Sequence, residues 1–294
     1  MFMYQGSMVA LATPMLDDGS VDEAALAKLV EFHIEAGTDV IIPVGTTGES
    51  ATLSVPEHAH VIKLVVGFVN KRVPVIAGTG ANSTSEAIEL SKHAVEAGAD
   101  GCLLVTPYYN KPTQEGLYQH FKAIAEAVPV PLILYNVPGR SAVDMHVATT
   151  ARLSKISNIF GIKEATGTVE RIKAVVDACD KDFMVVTGDD GTALESILTG
   201  GAKGNISVTA NVAPKLMHEM CVAAIAGDRA TAEALDAKMA DLHSTLFLES
   251  NPIPVKWALQ QMGKMDAGIR LPLTPLAKEF HAPVKAALTK AGAL

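Results

Sequence analysis

At 294 residues, 49% of them hydrophobic, and with no Pro-, Gly- or Ser-rich linker between comparable halves, the chain is long enough to bury one large core. A formal charge of -8 without basic runs or clustered aromatics argues against a nucleic-acid or anionic-membrane partner, which leaves a small-molecule ligand as the leading reading. Cys102, Cys179 and Cys221 are scattered and form no CxxC pair, which excludes a disulfide framework and a zinc site and fits a reducing compartment.

The N-terminal stretch 1–15 lacks a basic region, and Thr13-Pro14 interrupts its apolar run too early for a leader or a spanning helix, so a cytoplasmic location is expected. From there, short apolar or β-branched runs recur at Met8 to Ala12, Val40 to Val44, Val75 to Ala77, Cys102 to Val105, Leu132 to Leu134, Ile159 to Ile162, Met184 to Val186 and Ile206 to Val208. The spacing of about twenty to thirty-five residues is that of a βα unit, and repeated around a ring it predicts a (β/α)8 TIM barrel over 1–226. An open doubly wound sheet would want a glycine-rich phosphate loop after the first strand. Thr13 to Gly19 reads as a turn instead, and Gly78-Thr79-Gly80 lacks the third glycine.

Capping residues frame the intervening helices. Asp22 precedes Glu23 to Ala36 with Gly37 behind it, and Thr84 or Ser85 precedes Glu86 to Ala97 with Gly98 behind it. Pro214 to Ala226 supplies the eighth helix. Residues 227–294 show no strand, and Ala230 to Leu248, Val255 to Met262 and Ala277 to Ala291 predict a small helical appendage interrupted by proline-rich turns. Packing, oligomer contacts and closure of one side of the barrel mouth are all open roles for it.

In such a barrel the chemistry sits at the C-terminal ends of the strands. Lys163 ends the apolar run Asn158 to Ile162, where its ammonium would be partly desolvated; that favours the neutral amine and makes it a candidate Schiff-base nucleophile. The alternative is a structural lysine paired to a carboxylate. Gly45 to Ser50 (GTTGES) offers hydroxyls and unhindered N–H groups able to hold the carboxylate of a small 2-oxo acid. Tyr135, Thr46 and Tyr109 carry hydroxyls that both donate and accept, as a proton relay for imine formation requires. Arg140 adds a cation to the same rim. His58 and His60 stand two apart on a helix and point to different faces, so no metal site is expected there. Asp189-Asp190 reads as a pair of solvated rim acids, and Asp17-Asp18-Gly19 as turn chemistry.

The runs Ala10 to Met15, GTTGES, Ala77 to Asn82, Thr106 to Pro112, YNVPGR (Tyr135 to Arg140), GIKEATG (Gly161 to Gly167), GDD (Gly188 to Asp190), Ile206 to Pro214 and Asn251 to Ala258 together resemble the dihydrodipicolinate synthase family, within the pyruvate-dependent class I aldolases. The resemblance spans nearly the whole chain. It implies that Lys163 forms an imine with pyruvate, with Tyr135 as proton donor and acceptor, Thr46 and Tyr109 completing a relay, and Thr47, Ile206 and Gly188 among the substrate-binding residues. It implies further that Arg140 binds the carboxylate of L-aspartate 4-semialdehyde in diaminopimelate and lysine biosynthesis, with no cofactor and no metal. Tyr109 would reach in from an adjacent subunit of a homotetramer built from two dimers. A lysine-feedback site maps onto Ser50, Ala51, His58, Asn82, Glu86 and Tyr108, although Val55 stands where the family often has histidine. A sibling lyase acting on sialic acid or a 2-keto-3-deoxy sugar acid would share Lys163 and Tyr135 but would favour neutral groups at Arg140. A non-catalytic keto-acid or lysine sensor would be expected to have lost one member of the set.

Overall fold

The computed structural model describes residues 4–294; the first three residues of the stretch in which no leader is expected lie outside the described residues. In chain order the elements are β1 (Gly6–Ala10), α1 (Glu23–Glu35), β2 (Val40–Ile42), α2 (Val55–Val69), β3 (Ile76–Gly78), α3 (Thr84–Ala97), β4 (Gly101–Val105), α4 (Gln114–Ala127), β5 (Leu132–Asn136), the short α5 (Pro138–Ser141) and α6 (Val147–Leu153). They continue with β6 (Ile159–Glu164), α7 (Val169–Ala178), β7 (Met184–Thr187), α8 (Ala193–Leu198), β8 (Gly204–Ser207), α9 (Pro214–Ile225), α10 (Arg229–Thr245), α11 (Ile253–Gln261) and α12 (His281–Lys290). The eight strands run parallel in the order β2-β1-β8-β7-β6-β5-β4-β3, and the bridge between Ile41 and Val75 closes the ring. This is the expected (β/α)8 barrel.

Alternation along the strands divides the apolar side chains into two layers. Met8, Val40, Ile42, Ile76, Leu103, Ile133, Met184, Val186 and Ile206 fill the barrel interior. Their neighbours Val9, Ile41, Cys102, Leu104, Leu132 and Leu134 face the helices. One strand departs from strict alternation. The β5–β6 register pairs Leu132 with Ile159 but Ile133 with Gly161, so β6 carries an extra residue at Phe160. Ile159 and Ile162 therefore both face the helices. Lys163, paired with Tyr135 on one side and Val186 on the other, faces inward, and Glu164 faces outward beside Asn136.

Local chemistry accounts for the helix starts. The Asp22 carboxylate accepts from Ala25 N, and Ser54 with Glu57 forms a capping box on α2. The α3 cap is Ser83 and not the expected Thr84 or Ser85. Ser83 is the residue in extended conformation, and its Oγ accepts from Glu86 N, while Thr84 is engaged with His120 Nδ1 at 2.9 Å. Asp18 accepts from Ser20 in the predicted 17–19 turn, and Gly19 takes its positive φ. The three helices foreseen in the tail are α10, α11 and α12, the last preceded by a short 3-10 turn at Lys278–Phe280. Leu242, Val284 and Leu288 join the cluster that packs the barrel's outer layer. Among the described residues no helix is long and apolar enough to cross a membrane, and the three cysteines are free.

Burial of neutral histidines gives the fold an acid limit. Burial, with Lys264 nearby, holds His33 of α1 down to about 3, and burial holds His120 of α4 at about 4. Burial also lowers His58 of α2, against the opposing pull of the Gly78 carbonyl. Below the unfolded histidine pKa of about 6.5 the unfolded chain takes up protons that the native chain refuses, so stability present above that pH is lost as pH falls toward 3. Urea unfolding between pH 7 and pH 4 is expected to show this loss, with His33→Phe flattening the slope by up to about 1.4 kcal/mol per pH unit. An unchanged slope in that variant removes His33 from the account.

Candidate active site

A cavity of about 170 Å³ opens at the C-terminal ends of the strands. That is below the ~300–1,000 Å³ of drug-sized sites and suits a small molecule. Lys163, Tyr135, Thr46, Thr47, Arg140, Gly188 and Ser50 line it, so seven residues singled out in the sequence meet in one place. Lys163 is only 5% exposed, and among the described residues no carboxylate lies within ion-pair distance of it. Its Nζ lies 4.4 Å from the centroid of the Tyr135 ring, which shields it without neutralising it. The neighbouring Glu164 is committed to the other face of the strand. A paired structural lysine is therefore not what β6 presents.

Gly188 is the first residue after β7, and its lack of a side chain is what admits the lysine. A Cβ there would fall 2.4 Å from Lys163 Cε, 3.0 Å from its Cγ and 2.8 Å from Ala165 Cβ. Gly188 thus sets the path of the lysine stem as well as lining the pocket.

The hydroxyl-rich loop is shaped by a turn at Val44, whose φ of 48° is unusual for a β-branched residue. The turn fits only because Gly78 faces it; a Cβ on Gly78 would meet Val44 O at 2.6 Å. Glu49 and Ser50 donate their N–H groups to the Thr46 and Gly45 carbonyls. Among the described residues, neither Thr46 nor Thr47 donates its backbone N–H to a protein acceptor, and both residues line the cavity. Glu49, in left-handed conformation and 3% exposed, turns away from the pocket and forms a buried ion pair with Lys256 of α11; its other oxygen accepts from Arg270 N at 3.2 Å. Burial lowers the Lys256 pKa, and Glu49 opposes that shift.

The tail supplies part of the wall. Asn251 Nδ2 donates to Thr47 Oγ1 at 3.0 Å, Arg140 Nη2 donates to the Asn251 carbonyl at 3.2 Å, and Phe247 stands at the mouth. Closure of one side of the mouth is thus a role the tail plays. From the sequence, Asn251 stands out only in a matched run and in the proline-rich turn of the tail, and Phe247 only as part of the predicted helix Ala230 to Leu248.

Other expected residues sit elsewhere. Ile206 is buried in the barrel interior, in the same cluster as Tyr135, Ala10 and Ile42, and Val208, two residues on, lines the cavity. Tyr109 is 88% exposed at a φ of 73° and does not line its own chain's pocket, and no hydrogen bond within the chain joins it to Thr46 or Tyr135. Asp190 is not a solvated rim acid. It is buried and accepts from Asn205 Nδ2, Val208 N and Thr209 N, because the turn after β8 needs an acceptor for its N–H groups. Asp189 lines the pocket while capping Thr192.

The residues mapped to lysine feedback are partly gathered. Asn82 donates to the Tyr108 carbonyl at 3.2 Å, and burial, then the Glu86 charge, raises the Tyr108 hydroxyl. Ser50 lines the cavity and Ala51 is exposed beside it. His58 is buried, with Nε2 donating to Gly78 O at 2.9 Å, while exposed His60 pairs with Glu23, so the two histidines do face different ways. Among the described residues no three His, Cys, Asp or Glu side chains converge as a metal site would require.

A parallel barrel whose strand-end rim holds a buried, carboxylate-free lysine against a tyrosine has the build of a Schiff-base lyase of the class I aldolase type. The chain belongs to the dihydrodipicolinate synthetase family, whose family model matches residues 3–291. A relative from Thioalkalivibrio sulfidiphilus, named 4-hydroxy-tetrahydrodipicolinate synthase, is 66% identical over 99% of this chain and 98% of its own length. Among solved structures, the chloride-inhibited dihydrodipicolinate synthase of Acinetobacter baumannii complexed with pyruvate is 62% identical, with a TM-score of 0.98 over 99% of this chain and all of that one. The enzyme of Cyanidioschyzon merolae with lysine bound is 38% identical, with a TM-score of 0.95 over 99% of each chain.

The Gly188 geometry is directly testable. Gly188→Ala is expected to fold but to displace the Lys163 stem, and a shift of about 1 Å at a reacting group costs on the order of 10²-fold in rate. A kcat within twofold of wild type would mean that the lysine path does not depend on Gly188.

Proposed function

We propose that the protein is a 4-hydroxy-tetrahydrodipicolinate synthase, condensing pyruvate with L-aspartate 4-semialdehyde in the lysine and diaminopimelate route. The observation that carries this reading is the buried Lys163 amine, open to a small cavity and free of any carboxylate partner. The names of full-length relatives support the same reading.

The pyruvate carboxylate is held by the Thr46 and Thr47 N–H groups and by the hydroxyls beside them. The neutral Lys163 amine attacks the C2 carbonyl, and the carbinolamine loses water once its hydroxyl is protonated. Tyr135 supplies and accepts these protons, relayed through Thr46 and the Tyr109 hydroxyl of a neighbouring subunit. The protonated imine withdraws electrons from the methyl carbon, which gives up a proton to form an enamine. That carbon attacks the aldehyde, and the new alkoxide is protonated. The amine of the added substrate then attacks C2, closes the ring and expels Lys163 as the free amine. Arg140 binds the carboxylate of the semialdehyde, and its exposed position at the rim, tied to the Asn251 carbonyl, supports that role.

Assembly into a homotetramer belongs to the same reading. It is supported by Tyr109, exposed and held in left-handed backbone conformation away from its own pocket. L-lysine is proposed as a feedback ligand near Ser50, Ala51, His58, Asn82, Glu86 and Tyr108, with Glu86 as partner for an ammonium group. A cytoplasmic location is supported by the free thiols. We read 1–226 as the catalytic barrel and 227–294 as the helical unit, since Phe247 and Asn251 are the lining residues that come from beyond the barrel.

Adding pyruvate and borohydride and measuring the mass of the protein tests the reading. The wild type is expected to gain one reduced adduct at Lys163, and Lys163→Arg none, with turnover at least on the order of 10³-fold lower because a guanidinium stays charged. A wild type without adduct overturns the proposal. Arg140→Ala is expected to lower kcat/KM for the semialdehyde by roughly 10- to 100-fold while leaving pyruvate trapping near wild type. Equal loss in both would remove the arginine from recognition of the second substrate.

A further inference from the structure

The outer face of the barrel behind Lys163 and Tyr135 carries a polar cluster that the chemistry above does not use. Asn136 follows Tyr135 and Glu164 follows Lys163; the two are register partners across β5 and β6. Asn136 Nδ2 donates to Glu164 Oε2 at 3.1 Å and to Asp144 Oδ1 at 2.8 Å, while its Oδ1 accepts from Met145 N at 3.0 Å. Glu164, 1% exposed, also accepts from Thr166 N at 3.0 Å, and Arg171 of α7 brings its Nε to 3.7 Å of the carboxylate. The same guanidinium holds both Asp144 oxygens.

A buried carboxylate in this place is costly and needs a reason. An apolar residue would satisfy the face, which is otherwise lined by Leu132, Leu134 and Ile162. What distinguishes the position is the extra residue at Phe160. With β6 slipped by one residue, Ile162 would face inward and Lys163 outward among the helices. Apolar packing alone distinguishes the two registers poorly, because Ile159, Phe160 and Ile162 are all hydrophobic. The directional hydrogen bond from Asn136 crosses from β5 to Glu164 of β6 and is met only in the observed register, while Thr166 N, two residues on, holds the Glu164 carboxylate locally.

We propose that Glu164, acting with Asn136 and Arg171, is a positioning residue that locks β6 in its bulged register and so keeps Lys163 facing Tyr135 inside the barrel. The cluster reaches a third pocket residue as well. Asp144 and Met145 close the loop that carries Arg140, so Tyr135, Arg140 and Lys163 are braced from one point outside the cavity. The inference deepens the proposed function and rests on it.

The test is the rate of borohydride-trapped pyruvate adduct at Lys163, measured with thermal unfolding and steady-state kinetics for wild type, Glu164→Ala and Glu164→Gln. Adduct formation by the wild type checks the underlying reading separately; if the wild type forms none, that reading and this inference fall together. Given a wild-type adduct, Glu164→Ala is expected to lower the trapping rate and kcat together by tenfold or more at a temperature where it remains folded. Glu164→Gln, whose carbonyl still accepts from Asn136 and Thr166, is expected to restore most of both. A Glu164→Ala protein that melts earlier but traps pyruvate at the wild-type rate would overturn the proposal, since the cluster would then act on stability alone. Should Glu164→Ala not fold, Arg171→Met at the edge of the cluster replaces it. A tenfold fall in its trapping rate supports the proposal, and an unchanged rate overturns it.

Discussion

Everything in the site depends on holding a lysine amine inside the barrel without giving it a carboxylate. An amine paired to a carboxylate would be held away from any ligand, so the surroundings must leave it no acidic neighbour to fold against. Lys163 meets this demand through strand geometry. The nearest acid in sequence, Glu164, is one residue away yet on the opposite side of the sheet, engaged by Asn136 and Arg171. The inward neighbours are the Tyr135 ring and the bare backbone of Gly188. The amine is kept accessible by what is held away from it.

Much of this was legible from the residues. Each strand is a short β-branched or apolar run set off by turns and capped helices, and the spacing of such runs carries the barrel; the polar residues just beyond them, Thr46, Thr47, Tyr135, Arg140, Lys163 and Gly188, then fall on one rim. Periodicity failed where the period itself breaks. Strict alternation from Ile159 would send Lys163 outward, and only the extra residue at Phe160 turns it in.

The remaining differences come from contacts between distant parts of the chain. Asp190 looks like a free acid beside Asp189, and only the turn after β8 reveals the N–H groups it satisfies. Phe247 and Asn251 belong to the pocket through packing of a segment about two hundred residues from Thr47. Tyr109 is different again. Its side chain stands 88% exposed and outside the cavity lined by its own chain, and neither its exposure nor its left-handed backbone is marked in the local sequence.

The wall formed by Asn251 and the Glu49–Lys256 pair has a consequence for how the molecule comes into being. The paired residues are 207 positions apart, and the loop that carries Thr46 and Thr47 gains its Glu49 anchor only when the later one arrives. A chain emerging from the ribosome therefore carries all eight strand segments before Lys256, the partner of Glu49, has been made. At translation speeds of about 5–20 residues per second, that interval lasts a few seconds. The anchor of the entrance loop is thus synthesised after every strand that the loop serves.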